Sequence, residues 1–101
     1  MNANQIEVYE FYKQQHHKAV VLYRLPEGLL VLGDDLNQVS HIFSSINILE
    51  PGVGLLPDEQ STLSKLSKNR FQVKLVQYRN DNGEYALPDI KLIKLEQEMD
   101  Y

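Results

Sequence analysis

The chain has no cysteine among its 101 residues, so a disulfide framework and a thiolate metal site are both excluded, and nothing favours an oxidising compartment. It also lacks any apolar run near the roughly 20 residues of a membrane helix, so no membrane partner is expected. Met1 to Gln5 is polar, and the first apolar cluster is broken by Glu7 and Glu10. No signal peptide is therefore expected, and the expected location is cytoplasmic. Cations are in deficit, since 10 Lys and Arg against 14 Asp and Glu leave a formal net charge of -4. Such a chain repels a phosphate backbone unless it carries a local basic face. Low-complexity tracts are missing as well. With 43% apolar and 24% charged residues, the composition is that of a folded domain. The length suits one core, a single domain over residues 1–101 with a radius of gyration of about 13 Å.

What is present is organised around Ala19 to Asp35, AVVLYRLPEGLLVLGDD. Ala19–Tyr23 and Leu29–Leu32 are continuous apolar runs, the pattern of strands buried on both faces. Pro26 presets φ for a turn between them and Gly28 relaxes it. A turn this short cannot carry a parallel crossover, so the two strands are expected to be antiparallel neighbours near the sheet centre. Asp34 and Asp35 stand where a following helix needs an acceptor for its first free amides.

Ile6, Val8, Tyr9, Phe11 and Tyr12 make Asn4 to about His16 an amphipathic helix with an aromatic stripe that belongs in the core. Leu36, Val39, Ile42, Phe43 and Ile46 recur at intervals of three and four and predict a second helix, with His41 in its middle. Asn47–Glu50 is a short strand candidate, followed by a break at Pro51-Gly52 and a brief strand to Leu56. Asp58 caps a third helix reaching Lys68 or Asn69. Phe71, Val73 and Leu75 alternate with Gln72 and Lys74, the mark of a strand with one wet face. Asn82-Gly83 signals a hairpin, and Pro88 interrupts its return strand. Ile90 to Met99 fits either an edge strand or a helix capped by Asp89. The expected fold class is α/β, in the α+β sense, with a mixed β-sheet of about five to six strands and three flanking helices.

Candidate chemistry is sparse. His16 and His17 are adjacent, about 100° apart on a helix, and cannot share a metal without distortion. Gly52-Val53-Gly54 is too short and wrongly placed for a phosphate loop, so no nucleotide and no cofactor is expected. Asp34 with Asp35, or Glu96 with Glu98, would be the carboxylates of a metal-dependent nuclease, but the first pair reads as a helix cap and the second as a solvated tail. The basic candidates are Lys65, Lys68, Arg70, Lys74 and Arg79, five cations within fifteen residues and no acid between them. They are either a nucleic-acid contact or the ordinary cations of a helix end and a strand face.

This order of elements, the frame LYRLPEGLLVLGDD from Leu22 to Asp35 and the segment STLSKLSKNRFQVKLVQY from Ser61 to Tyr78 resemble the N-terminal mismatch-recognition domain of the MutS family of DNA mismatch-repair proteins. The resemblance spans nearly the whole chain and implies a MutS domain I-like fold. In that family, within a pattern close to GDFYELF, a phenylalanine wedges against the mispaired base and a glutamate two residues on hydrogen-bonds it. Those positions fall here on Gly28 and Leu30, which offer neither ring nor acceptor. The family's connector, clamp and ATPase domains have no counterpart in this sequence. The resemblance thus implies a non-enzymatic accessory with weak, non-specific contact to duplex DNA. The alternative is a protein-interaction adaptor that binds no DNA. Clustering of the five cations on one face would favour DNA; their dispersal, or pairing with Asp81, Glu84 and Glu96, would favour the adaptor.

Overall fold

The computed structural model describes residues 1–99 of the chain, with side chains described through Glu96. In chain order its elements are α1 (Ala3–Gln15), β1 (Val20–Leu25), β2 (Gly28–Leu32), α2 (Gly33–Val39), β3 (Asn47–Glu50), β4 (Val53–Leu56), α3 (Glu59–Lys68), β5 (Val73–Val76) and α4 (Ile90–Met99). Local chemistry starts and stops most of them. Asn2 accepts the Gln5 N–H while the Gln5 side chain accepts the Asn2 N–H, a reciprocal cap that opens α1. Asp58 accepts the Ser61 N–H at 3.0 Å and opens α3. Asp89 accepts from Lys91 N–H at 3.0 Å, so the segment from Ile90 is a helix, the fourth.

The sheet runs β3-β4-β2-β1-β5. β1 and β2 pair antiparallel across Pro26 and Glu27, with Leu22 opposite Val31, and they lie inside the sheet as expected. β5 joins β1 in parallel, with Leu22 opposite Leu75, which makes the sheet mixed. Strand alternation sends side chains to two separate cores. Val21, Tyr23, Leu30, Leu32, Val53 and Val76 meet Val8 of α1 and Ile90 of α4 on one face. Val20, Leu22, Leu29, Val31 and Leu56 meet Leu36 and Val39 of α2 and Leu66 of α3 on the other. The result is a helix–sheet–helix sandwich with a Cα radius of gyration of 13.7 Å.

Three local expectations are corrected. Asp34 and Asp35 are not caps: α2 begins at Gly33, its N-cap is Leu32 with no side-chain bond, and both aspartates lie in the first turn. α2 also ends at Val39 and not beyond Ile42. The Ser40 hydroxyl donates to Asn37 O, and the Ile42 and Phe43 amides both fold back on Val39 O, which terminates the ladder. His41 consequently lies in the exposed turn after the helix. Ile42, Phe43 and Ile46 still pack against the core, so their spacing reported burial correctly and helix length wrongly. The Asn82-Gly83 turn yields only a single bridge, Arg79 to Tyr85. Asn80 Oδ1 takes the amides of Asn82 and Glu84, and Pro88 has no N–H with which to extend a return strand.

Asp35 has a different task. Its carboxylate is 1% exposed, accepts the Val21 N–H at 3.1 Å and takes Lys13 Nζ at 2.9 Å, while the same ammonium donates to Ala19 O at 2.6 Å. Val21 precedes Leu22, the first residue of β1 paired to β2, so the carboxylate substitutes for a missing strand carbonyl. Asp35→Ala should therefore destabilise by about 3–5 kcal/mol in urea unfolding, because it strands a half-buried ammonium and a buried amide. Leu22, fully buried between β2 and β5, should cost about 2–5 kcal/mol as Leu22→Ala; a loss under about 0.5 kcal/mol would contradict its place in the core.

Candidate functional site

The β1–β2 turn, where the resemblance places mismatch reading, exposes Pro26 and Glu27 and packs at its Gly28 end. Gly28 has φ +147°, and a Cβ there would lie 2.6 Å from Leu56 O and 2.9 Å from Pro57 Cα. No side chain fits at that position without moving the end of β4. Leu30 is 4% exposed and belongs to the core shared with α1 and α4. Gly28 is partly exposed but has no room for a side chain, and Leu30 is buried, so neither offers a group to touch a base.

The five sequence-predicted cations do not form one face. Lys65 and Lys68 share the outer side of α3 with Ser61, Ser64 and Asn69, around a shallow depression of about 410 Å³. Lys65 Nζ lies 5.1 Å from the Phe43 ring centroid, on the α2 and α3 side of the sheet. Val73 and Leu75 point to that side too, so alternation turns Lys74 to the other, where it lies near Tyr12 and Tyr78. Arg79 sits apart at the 79–85 turn, with its guanidinium 4.0 Å from the Tyr85 centroid and donating to Gly83 O. Among the described residues no carboxylate lies within 4.0 Å of any of these five cations.

Arg70 is unusual within this set. It follows the α3 C-cap Asn69 with φ 62°, its amide bonding Ser67 O and the next amide, Phe71, bonding Leu66 O. That is a Schellman ending with arginine where glycine is the unstrained choice. The conformation reverses the chain from α3 into β5.

A second polar cluster was invisible to spacing. Arg24, at the end of β1, donates to Gln77 and Glu59 side chains and to Tyr85 Oη, the last at 3.2 Å. With Arg79 it brackets the Tyr85 ring. The hydrogen bond from Arg24, followed by the charge of Arg79, holds the Tyr85 phenol below its ordinary value. β1, α3 and the loop after β5 are thereby tied at the carboxyl ends of the parallel pair β1 and β5. The sequence frame marked Arg24 alone, because its partners lie 35, 53 and 61 residues away. Burial, with a smaller contribution from Asp35, pushes Tyr23 in the opposite direction, well above its ordinary value.

Among the described residues there is no grouping of three or more His, Cys, Asp or Glu that would hold a metal. Asp35 is engaged by Lys13, and the Glu98 side chain lies outside the described residues. No helix among the described residues is long and apolar enough to cross a membrane. The fold and its polar clusters define a small α+β domain with a mixed sheet. No known family, curated protein or solved structure matches the chain.

The strain at Arg70 is measurable. Arg70→Gly should raise stability by about 0.5–1 kcal/mol, the left-handed penalty less the extra freedom glycine gains when unfolded. Thermal unfolding of the two proteins side by side is the check, and a loss of stability would show that the arginine side chain makes a contact of its own.

Proposed function

We propose that this chain is a non-catalytic protein-interaction module, a MutS domain I-like scaffold in which packing closes the base-reading positions Gly28 and Leu30. The observation that carries the reading is the separation of the cations: Lys65 and Lys68 lie on the α3 side, Lys74 on the α1 side and Arg79 at a remote turn. A duplex contact needs several cations reaching phosphates together. Here at most Lys65, Lys68 and Arg70 are near neighbours, on a chain of net charge -4. The filled space beneath Gly28 and the burial of Leu30 support the loss of mismatch readout. Exposed apolar side chains elsewhere, Leu92 and Leu95 on α4 among them, support contact with protein.

A second reading, weak and non-specific duplex contact, is favoured by the acid-free end of α3. It makes a different quantitative claim. Three phosphate contacts give log affinity a slope of about -2.7 against log salt, so binding visible at low salt disappears near physiological salt. Fluorescence anisotropy with matched, mismatched and single-stranded DNA at both salts tests the choice. The expected outcome is equal weak binding to matched and mismatched duplex at low salt and none at physiological salt. Affinity tighter than about 1 μM at physiological salt, removed by Lys68→Glu with Arg70→Glu, would establish the DNA reading in place of the adaptor.

A further inference from the structure

α4 is apolar on two opposite sides. Ile90 is 1% exposed and Ile93 packs against the core shared with α1, which fixes the inward face. At about 100° per residue, Leu95 and Leu92 then fall roughly 140° and 200° from Ile90, on the outward face. Both are 51% exposed, a large exposure for leucines three residues apart on one helix. A surface helix needs one apolar stripe to dock on its own domain. The second stripe has no partner within this chain's described residues.

Charge identifies the occupant. Lys91 and Glu96, both exposed, flank the outward stripe on opposite sides, at roughly 100° and 240°. With Leu92 and Leu95 as the a and d positions of a heptad, Lys91 is g and Glu96 is the following e, five residues on. In a parallel pair of identical helices each g residue faces the e residue of its partner, so Lys91 would meet Glu96 of a second copy twice, related by the dyad. An antiparallel pair would instead set Lys91 against Lys91 and Glu96 against Glu96. We propose that this chain self-associates through α4, as a parallel two-helix contact with Leu92 and Leu95 in the seam and reciprocal Lys91–Glu96 pairs at its margins. The proposal rests on the protein-interaction reading and names the partner as a second copy. Ten helical residues rise only about 15 Å. The area buried is therefore below that of stable complexes, and the association is weak and concentration-dependent.

Sedimentation velocity from roughly 10 μM to 1 mM tests it on the full chain, with circular dichroism confirming that each variant is folded. The expected result is a rise from monomer toward dimer mass over that range. Leu92→Asp with Leu95→Asp should remain monomeric throughout. Lys91→Glu alone and Glu96→Lys alone should each weaken association at least threefold, and the double exchange should restore it. A wild-type chain that is monomeric at the highest concentration overturns the dimer. A double exchange that fails to rescue overturns the parallel arrangement. Monomer without duplex binding leaves the adaptor reading standing and removes only this partner, whereas monomer with tight duplex binding at physiological salt removes both.

Discussion

The fold depends on a single buried carboxylate. Asp35 reaches from the first turn of α2 to the start of β1 and to Lys13 of α1, so three elements that are separate in sequence share one charged knot. Burying a carboxylate is costly unless it is paired and hydrogen-bonded. Here it has an ammonium at 2.9 Å and a backbone amide at 3.1 Å, and the ammonium has a backbone carbonyl besides. The knot sets where α1 crosses the sheet and how α2 leaves β2. From that crossing follow the aromatic contacts of Tyr12 with Tyr23 and Phe11, which close the core on the α1 side.

The opposite side is governed by close approach. Gly54 sits in β4 where a Cβ would be 2.6 Å from Leu36 Cδ1 and 2.9 Å from Ile46 Cγ2, so its absence of a side chain lets the segment after β2 lie flat on the sheet. Gly28 plays the matching part at the tip of the β1–β2 turn, under the end of β4. These contacts explain why the turn is not a recognition element. A side chain at Gly28 would need the β4–α3 connection moved aside, and one at Leu30 already points into a core. The two positions to which the resemblance assigns base reading are, in this chain, closed by packing.

Function is therefore read from surfaces other than the base-reading positions Gly28 and Leu30. The acid-free end of α3 carries strain at Arg70, and strained residues persist where surrounding structure or use retains them. The Arg24 cluster has the opposite character: its terminal guanidinium nitrogens are engaged by Glu59, Gln77 and Tyr85, while Nε is buried without a partner, which makes it a clamp joining β1, α3 and the loop after β5. The outward leucines of α4 have no internal partner among the described residues. Of the three features, only α4 carries apolar side chains left in water and charges arranged to choose a mate.

Much of this was legible in the amino-acid order. Two apolar runs separated by Pro26 and Glu27 allow only antiparallel neighbours, and both runs are buried on both faces, as continuous apolar patterns require. Asp58 and Asp89 announce helix starts because capping is a contact between residues two or three apart. The ambiguous Ile90–Met99 segment was settled by Ile90 entering a core that its own neighbours in sequence do not form. Asp35 shows the same limit: as a cap it needed only its neighbours, but its real partners are 14 and 22 residues away. The basic residues were counted, but their placement stayed open between one face and several, since a run of five cations says nothing about which side of a sheet each one leaves. Local chemistry thus determined where elements begin, which strands pair and which faces are apolar. Only the tertiary structure decided that the space at Gly28 is filled and Leu30 buried, that the cations part across the sheet and that α4 keeps a second apolar face, because each depends on atoms brought within a few ångströms from distant points in the chain.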